Sequence, residues 1–290
     1  MNRVRVSIGL CTGLMLVTAA CGSTSPSTSN SGSSSAGVLG TVKTLTPGVL
    51  TIATYGSDPP LITVGPGQNQ IGGVSGAWIN AFAADFGLTV HLFQTTFASS
   101  LLAVQQGKAD VGAPVYYNAD RAKTYYYTYP VDIESLVVFT KKSFNYTGPS
   151  SLLGHKVGTV TGYVWTPYFQ KFFGSSLQLY TSATDAQTAF VNGQLDAYMD
   201  ADINYFNPPM SLSPNIALHS VSGGDFGIPA GTIANESYWI VNCSEKALAN
   251  AMDLERDKLQ SSWASILSHD GAPAGTPQNT PPLDSPAEAC

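Results

Sequence analysis

Ser100-Leu101-Leu102-Ala103-Val104-Gln105-Gln106-Gly107-Lys108-Ala109-Asp110-Val111 is the stretch whose reading decides the fold. Its apolar residues recur at helical spacing, so Phe97 to Gln106 reads as a helix. Gly107 stops that helix, and Val111 to Val115 follows as a short, continuously apolar, buried strand. Outward toward the N-terminus, Leu50 to Thr54 alternates as a strand and the Gly56-Ser57-Asp58-Pro59-Pro60 cluster ends it. Ala77 to Phe86 is a helix, with Trp78, Phe82 and Phe86 at spacing four and Gly87 as its stop. Leu88 to Phe93 is a strand. The order is β-α-β-α-β, the pattern of an α/β sheet.

The pattern restarts further on. Lys156 to Val160 is a strand, Trp165 to Phe173 a helix and Leu177 to Tyr180 a strand. Thr184 to Asn192 is a helix stopped by Gly193, and Ala197 to Met199 is a strand. Two α/β lobes therefore follow one another. Tyr238 to Val241 adds a strand, Ser244 to Leu267 one long helix, and residues 271–290 a Pro-rich irregular tail. The run Tyr125-Tyr126-Tyr127-Thr128-Tyr129 reads as a half-buried strand rather than a binding ladder.

The N-terminus has its own logic. Arg3 and Arg5 precede an apolar run from Val6 to Val17, then Thr18-Ala19-Ala20-Cys21-Gly22. A basic start, an apolar stretch too short to span a bilayer and small residues before a cut site make a secretory signal over 1–21. The residue after the cut is cysteine, and this spelling resembles the lipobox of bacterial lipoproteins, in which that thiol carries diacylglycerol. Two acyl chains suffice for stable anchoring. Residues 22–43 form a tether: eight of the 13 residues from Ser23 to Ser35 are serine, a composition that buries too little surface to offset ordering. The expected location is outside the cell membrane, attached by lipid at Cys21.

Charge narrows the partners. The whole chain carries net −6, with 11% charged residues. Without Arg3 and Arg5, 11 basic residues face 19 acidic ones, net −8, which argues against a nucleic-acid partner. Of four cysteines, Cys11 leaves with the signal and Cys21 takes the lipid. Cys243 and Cys290 remain in an oxidising compartment, as one disulfide or as two unrelated thiols. The chain carries no GxSxG, HExxH, GxGxxG, P-loop or CxxC, so neither a catalytic signature nor a cofactor or metal is expected. Asp200-Ala201-Asp202-Ile203-Asn204 imitates the start of a calcium loop, but Tyr205 and Ser211 occupy the places that need glycine and glutamate.

Several segments, in order, resemble the family 3 extracellular solute-binding proteins, the amino-acid-type receptors of ABC importers. They are Ala53-Thr54-Tyr55 with Pro59-Pro60-Leu61, the Ser100–Val111 stretch, Asn118-Ala119-Asp120-Arg121-Ala122-Lys123, Leu152 to Gly158, and Ala189 to Ala197. The likeness covers about Leu50 to Gly271. It implies an α/β, type II-like, two-lobe periplasmic-binding-protein fold. Lobe 1 would take 44–140 and lobe 2 143–236, with 237–270 returning to lobe 1. Two crossover hinge strands are expected near Val137–Lys141 and Tyr238–Val241. A small solute would sit in the cleft, and the partners would be ABC permease subunits, with the receptor a monomer.

The resemblance assigns Arg121 to a ligand carboxylate, which a guanidinium fork fits. It places Tyr55 against the ligand. The family's Gly-Thr-Thr/Ser loop, which contacts a ligand carboxylate, reads Gly162-Tyr163-Val164 here; backbone N–H groups there can still bind an anion, and the departure to large aromatics, Tyr163 and Trp165, suggests a cleft wall. Tyr116 and Tyr117 end a strand at the cleft, where alternation lets only one point inward. The family's amine-binding aspartate lies five residues after its strand-entry aspartate. Here that position is Ala201, flanked by Asp200 and Asp202, which become the amine candidates. Two other functions remain open: a cyclohexadienyl-dehydratase-like lyase on the same fold, and a ligand sensor for a membrane kinase. A buried cleft carboxylate with a displaced pKa is the mark of the enzyme.

Overall fold

The computed structural model describes residues 42–67, 69–269, Leu283 and Cys290. The signal, Cys21, most of the tether and nearly all of the Pro-rich tail lie outside the described residues. The first half runs β1 (Val49–Thr54), β2 (Thr63–Val64), β3 (Ile71–Gly72), α1 (Gly73–Asp85), β4 (Thr89–Gln94), α2 (Phe97–Gln105) and β5 (Val111–Tyr116). A 17-residue strand, β6 (Tyr125–Lys141), leads into β7 (Val157–Val160), α3 (Thr166–Phe173), β8 (Leu177–Tyr180), α4 (Ala183–Val191), β9 (Ala197–Ala201) and β10 (Ile216–Ser220). The chain returns through β11 (Ala234–Asn242) to α5 (Lys246–Leu259) and α6 (Trp263–His269).

The strand order is β4-β1-β5-β11-β6 and then β6-β9-β7-β8, with β10 also on β6. In each half three strands are parallel: β4, β1 and β5 in one, β8, β7 and β9 in the other. The long strands β6 and β11 are antiparallel to their neighbours. Alternation along the strands sorts the cores. Leu50 and Ile52 join Trp78, Phe82, Met252 and Trp263 on one face of the first lobe. Ala53 points to the other face, with Phe97, Val104 and Ile240. In the second lobe Leu136 and Val138 pack with Phe169 and Phe173, while Val137 and Phe139 pack with Phe190 and Tyr198.

The crossovers lie earlier than the sequence reading placed them. β6 pairs with β11 as far as Ser135 and with β9 from Leu136 onward. The return pairs Leu136 N–H with Ile233 O at 2.9 Å, ahead of β11. Tyr238–Val241 lies inside the first lobe, on β5 and on Tyr126–Pro130. The strand runs unbroken through the change of partners, which falls just after the polar stretch Asp132 to Ser135 and before the apolar run Leu136 to Phe139.

Two other elements differ. α1 starts at Gly73, not Ala77. Gly73 adopts φ +76°, where a Cβ would meet Pro60 O and Leu61 O at 2.6 Å. Those two carbonyls instead accept from Val74 N and Ser75 N, capping the helix from the Pro-Pro turn. The expected long C-terminal helix breaks at a 3₁₀ turn, Gln260–Ser262. Ser262 Oγ donates back to Leu259 O, and the Gln260 side chain accepts from Arg256. The break lets Trp263 reach Val131 O and meet Trp78 edge to face. The Cα atoms of Cys243 and Cys290 lie 5.7 Å apart, within the reach of a disulfide.

Candidate functional site

The carboxyl ends of β1, β5, β7 and β9 converge on a cavity between the lobes, the place where α/β sheets hold ligands. Tyr55 and Asp58 come from the end of β1, Phe97 from the start of α2, and Tyr116 and Arg121 from the end of β5 and the turn behind it. The second lobe supplies Tyr163 and Val164 after β7, Asp200 from β9 and Asn204 from the next turn. The crossing strands add Glu134 and Ser237. The cavity measures about 30 Å³, room for about two water molecules. Arg121, Tyr163 and Val164 also line an open groove of about 320 Å³ that forms its mouth.

One end of the cavity is a guanidinium. Asn118 Oδ1 accepts from Asp120 N and Arg121 N at 2.9 and 3.2 Å, and so builds the turn that presents Arg121. Arg121 Nη2 donates to Gly162 O at 2.6 Å across the lobes, and Nη1 donates to Tyr116 O at 3.3 Å. Its Cζ lies 5.7 Å from the Phe97 ring centre. Burial lowers its pKa, and no carboxylate opposes that shift. Phe97 also packs against Tyr55 with tilted rings at 5.5 Å and meets Tyr163 edge to face at 5.1 Å, an aromatic contact between lobes.

The other end is acidic. Asp58 accepts from Asn207 Nδ2 at 2.7 Å; burial pushes its pKa up to about 6. Asp200 accepts from Ala201 N at 2.7 Å and from the Tyr198 hydroxyl; burial pushes its pKa up to about 8. Glu134 accepts from the Tyr116 hydroxyl, and burial, reinforced by Asp132, lifts its pKa well above the carboxylate range. Asp132, behind it, accepts from the Ser237 hydroxyl and is raised by burial to about 7. Among the described residues the ion pairs lie elsewhere, at Lys43, Lys123, His155 and Lys258.

Of the residues expected at the site, Arg121, Tyr55, Tyr116, Tyr163 and Asp200 meet at the cavity, and Gly162 contributes a carbonyl to Arg121. Gly162 lines only the outer groove, and three others line neither. Trp165 is fully buried in the second lobe's core, its Nε1 donating to Thr232 O; it backs Tyr116 at 5.0 Å instead of forming a wall. A ring that large next to a helix start fills the lobe before it can reach the cleft. Tyr117 turns outward against Tyr127, as alternation from Tyr116 requires. Asp202 accepts from Ser135 N at 3.1 Å and braces the crossover.

Asp58 and Glu134 are the acids that sequence reasoning missed. Asp58 sits inside the turn cluster Gly56 to Pro60, where an acid is an ordinary turn residue. Glu134 carried a usable signal, an acid inside the run Val131–Phe139, where charge is rare unless it is used.

Two α/β lobes, two crossing strands and a cavity off the strand ends define a two-lobed solute-binding protein. The family model of bacterial extracellular solute-binding proteins, family 3, matches residues 50–266, and the chain belongs to that family. No curated protein sequence matches it. Its fold is similar to the substrate binding protein of an amino acid ABC transporter, at TM-score 0.67 and 18% identity, covering 78% of this chain and 100% of that one. It is also similar to a histidine kinase sensor domain resembling periplasmic binding proteins, at TM-score 0.64 and 18% identity, covering 77% and 96%. A third is the amino acid ABC transporter substrate-binding protein AbpA from Streptococcus pneumoniae bound to L-arginine, at TM-score 0.63 and 22% identity, covering 77% and 92%. Among the described residues no helix is long and apolar enough to cross a membrane.

Proposed function

We infer that this chain is the extracytoplasmic receptor of an ABC importer and captures a small carboxylate-bearing solute, an amino acid or a relative of one, by lobe closure. The observation that carries this reading is Arg121. Its guanidinium stands between mouth and cavity with backbone carbonyls, not acids, as its partners. A ligand carboxylate arriving there meets a guanidinium that has no acid partner. A cavity of about 30 Å³ holds no amino acid as it stands, so the lobes must part to admit one and close less tightly around it. Arg121→Ala removes the fork and should weaken binding at least ~30-fold by calorimetry, because losing one side of a desolvated charged pair costs about 2–5 kcal/mol. Arg121→Lys should weaken it too. Equal affinity for wild type and Arg121→Ala defeats the reading.

The lipobox-like stretch supports anchoring at Cys21, and Cys21→Ser should move the protein from the membrane to the soluble fraction. The facing positions of Cys243 and Cys290 support an oxidised pair in that compartment. Two further readings have an observation each. Asp58, Glu134 and Asp200 are buried cavity carboxyls with raised pKa values, the mark set for an enzyme. Recovery of the bound ligand unchanged after prolonged incubation removes that reading. The kinase-sensor likeness supports signalling in place of transport. Loss of uptake in a strain carrying Arg121→Ala argues for transport.

A further inference from the structure

The two ends of the cavity are unequal. One guanidinium faces three carboxyls, Asp58, Glu134 and Asp200, each more than nine-tenths buried. No lysine or histidine lines the cavity. The groups that face these acids are hydroxyls, amides and further acids: Asn207 on Asp58, Tyr116 and Asp132 on Glu134, Tyr198 on Asp200. Tyr55 and Tyr163, whose own pKa values burial and these acids raise, supply no positive charge either. Arg121 holds to carbonyls at the opposite end. A ligand that brought only a negative charge to Arg121 would give these acids nothing that favours their charged forms.

We propose that the acidic end of this cavity seats an organic cation, so that the solute is a carboxylate bearing two amine-type cations, a basic amino acid being the simplest form. This rests on the receptor reading above. An organic cation fits better than a metal ion, because among the described residues no three acid, histidine or cysteine side chains converge as metal ligands. The carboxyls act instead on the Tyr55 and Tyr163 rings, which share the cavity and suit an alkyl stem or a flat guanidinium.

A consequence follows for protons. Without a cation the carboxyls are held partly protonated by burial, Asp58 at about 6 and Asp200 at about 8. A bound cation favours their charged forms and lowers those values, so binding expels protons. Affinity rises as pH rises through the window from about 6 to about 8, and falls on acidification. Arg121 stays charged throughout and adds no slope.

The test is calorimetry on the full chain with five probes: L-lysine, L-arginine, L-norleucine, L-citrulline and L-glutamate. Lysine should bind at least ~10-fold tighter than norleucine, and arginine at least ~10-fold tighter than citrulline, since each neutral partner leaves a buried acid unpaired. Lysine binding at pH 7 should release protons, read as a heat that differs between phosphate and Tris. Glu134→Gln should narrow the lysine-to-norleucine ratio at least ~3-fold. Asp58→Asn is the second variant should the first not fold. Norleucine, citrulline or glutamate binding as tightly as the basic probes overturns the proposal and leaves the receptor reading standing. Binding by none of the five overturns both.

Discussion

The two ends of the cavity are built by different means. The guanidinium end comes from one short piece of chain, Tyr116 to Arg121, closed by the Gly162 carbonyl. The acidic end is assembled from three distant segments: the turn after β1, the crossing strand β6 and the end of β9. The first end carries a fixed charge, its N–H groups donated to carbonyls that neither gain nor lose a proton. The second carries carboxyls held near neutrality by burial, with charges that depend on pH and on what lies beside them. A binding site can therefore be rigid at one pole and titratable at the other, and the two poles should answer differently to mutation.

The largest expected effect is on the packing behind the guanidinium end. Tyr116, whose carbonyl receives Arg121, leans on Trp165, which is fully buried. Trp165→Ala should cost about 3–5 kcal/mol of unfolding free energy, the usual loss for a buried large aromatic. Urea unfolding at pH 7 measures it. A loss under about 1 kcal/mol would place Trp165 in the cleft wall after all and undo the distinction between lining and backing residues.

That distinction marks the limit of what was legible. The β-α-β-α-β order and its restart in the second lobe could be read because each is local: a helix stop at Gly107, an apolar run of strand length. Arg121 rests instead on the resemblance of the segment Asn118 to Lys123. Tyr163 and Trp165 lie two residues apart on one loop with the same aromatic character, yet one faces the cavity and the other the core. Only the packing of Phe169 and Thr232 around the indole separates them. Asp58, Glu134 and Asp200 never approach one another in sequence. Their meeting depends on the handover of β6 from one lobe to the other, and a single strand with no turn inside it gives no local signal of that change.

The titratable end should reverse the usual sign of a site mutation. Asp200 has a folded pKa raised to about 8, against about 3.9 unfolded. Between those values the folded protein holds a proton that the unfolded chain releases. Stability therefore falls as pH rises from about 4 to about 8, and the cost is complete above that. Asp200→Asn removes the cost. Its amide can still accept from Ala201 N and donate to the Tyr198 oxygen. At pH 8.5 the variant should be more stable than wild type without ligand, by an amount on the order of 1–3 kcal/mol, and nearly equal to it at pH 4. It should also bind ligand more weakly. Thermal unfolding across pH provides the check: parallel curves for the two proteins would mean that Asp200 is ionised in the folded state and that the two poles are electrically alike.

The smallest effect tests the boundary of the guanidinium end. Tyr116 and Tyr117 are adjacent, chemically identical and equally plausible from sequence, but the strand sends them to opposite sides. Tyr116 reaches Glu134 with its hydroxyl, while Tyr117 is 37% exposed and touches the Tyr127 ring at 5.4 Å. Tyr117→Ala removes one half-exposed aromatic pair, so stability should drop by about 1 kcal/mol or less. Affinity should stay within about twofold of wild type, because no atom of Tyr117 faces the cavity and a twofold change is about 0.4 kcal/mol. Tyr116→Phe keeps the ring that rests on Trp165 and deletes only the donor to Glu134. It should therefore spare most of the stability while changing the pH dependence of binding. If Tyr117→Ala instead weakens binding tenfold, the outer groove that shares Arg121 with the cavity is where the ligand carboxylate rests, and the pole lies outward of the position assigned to it.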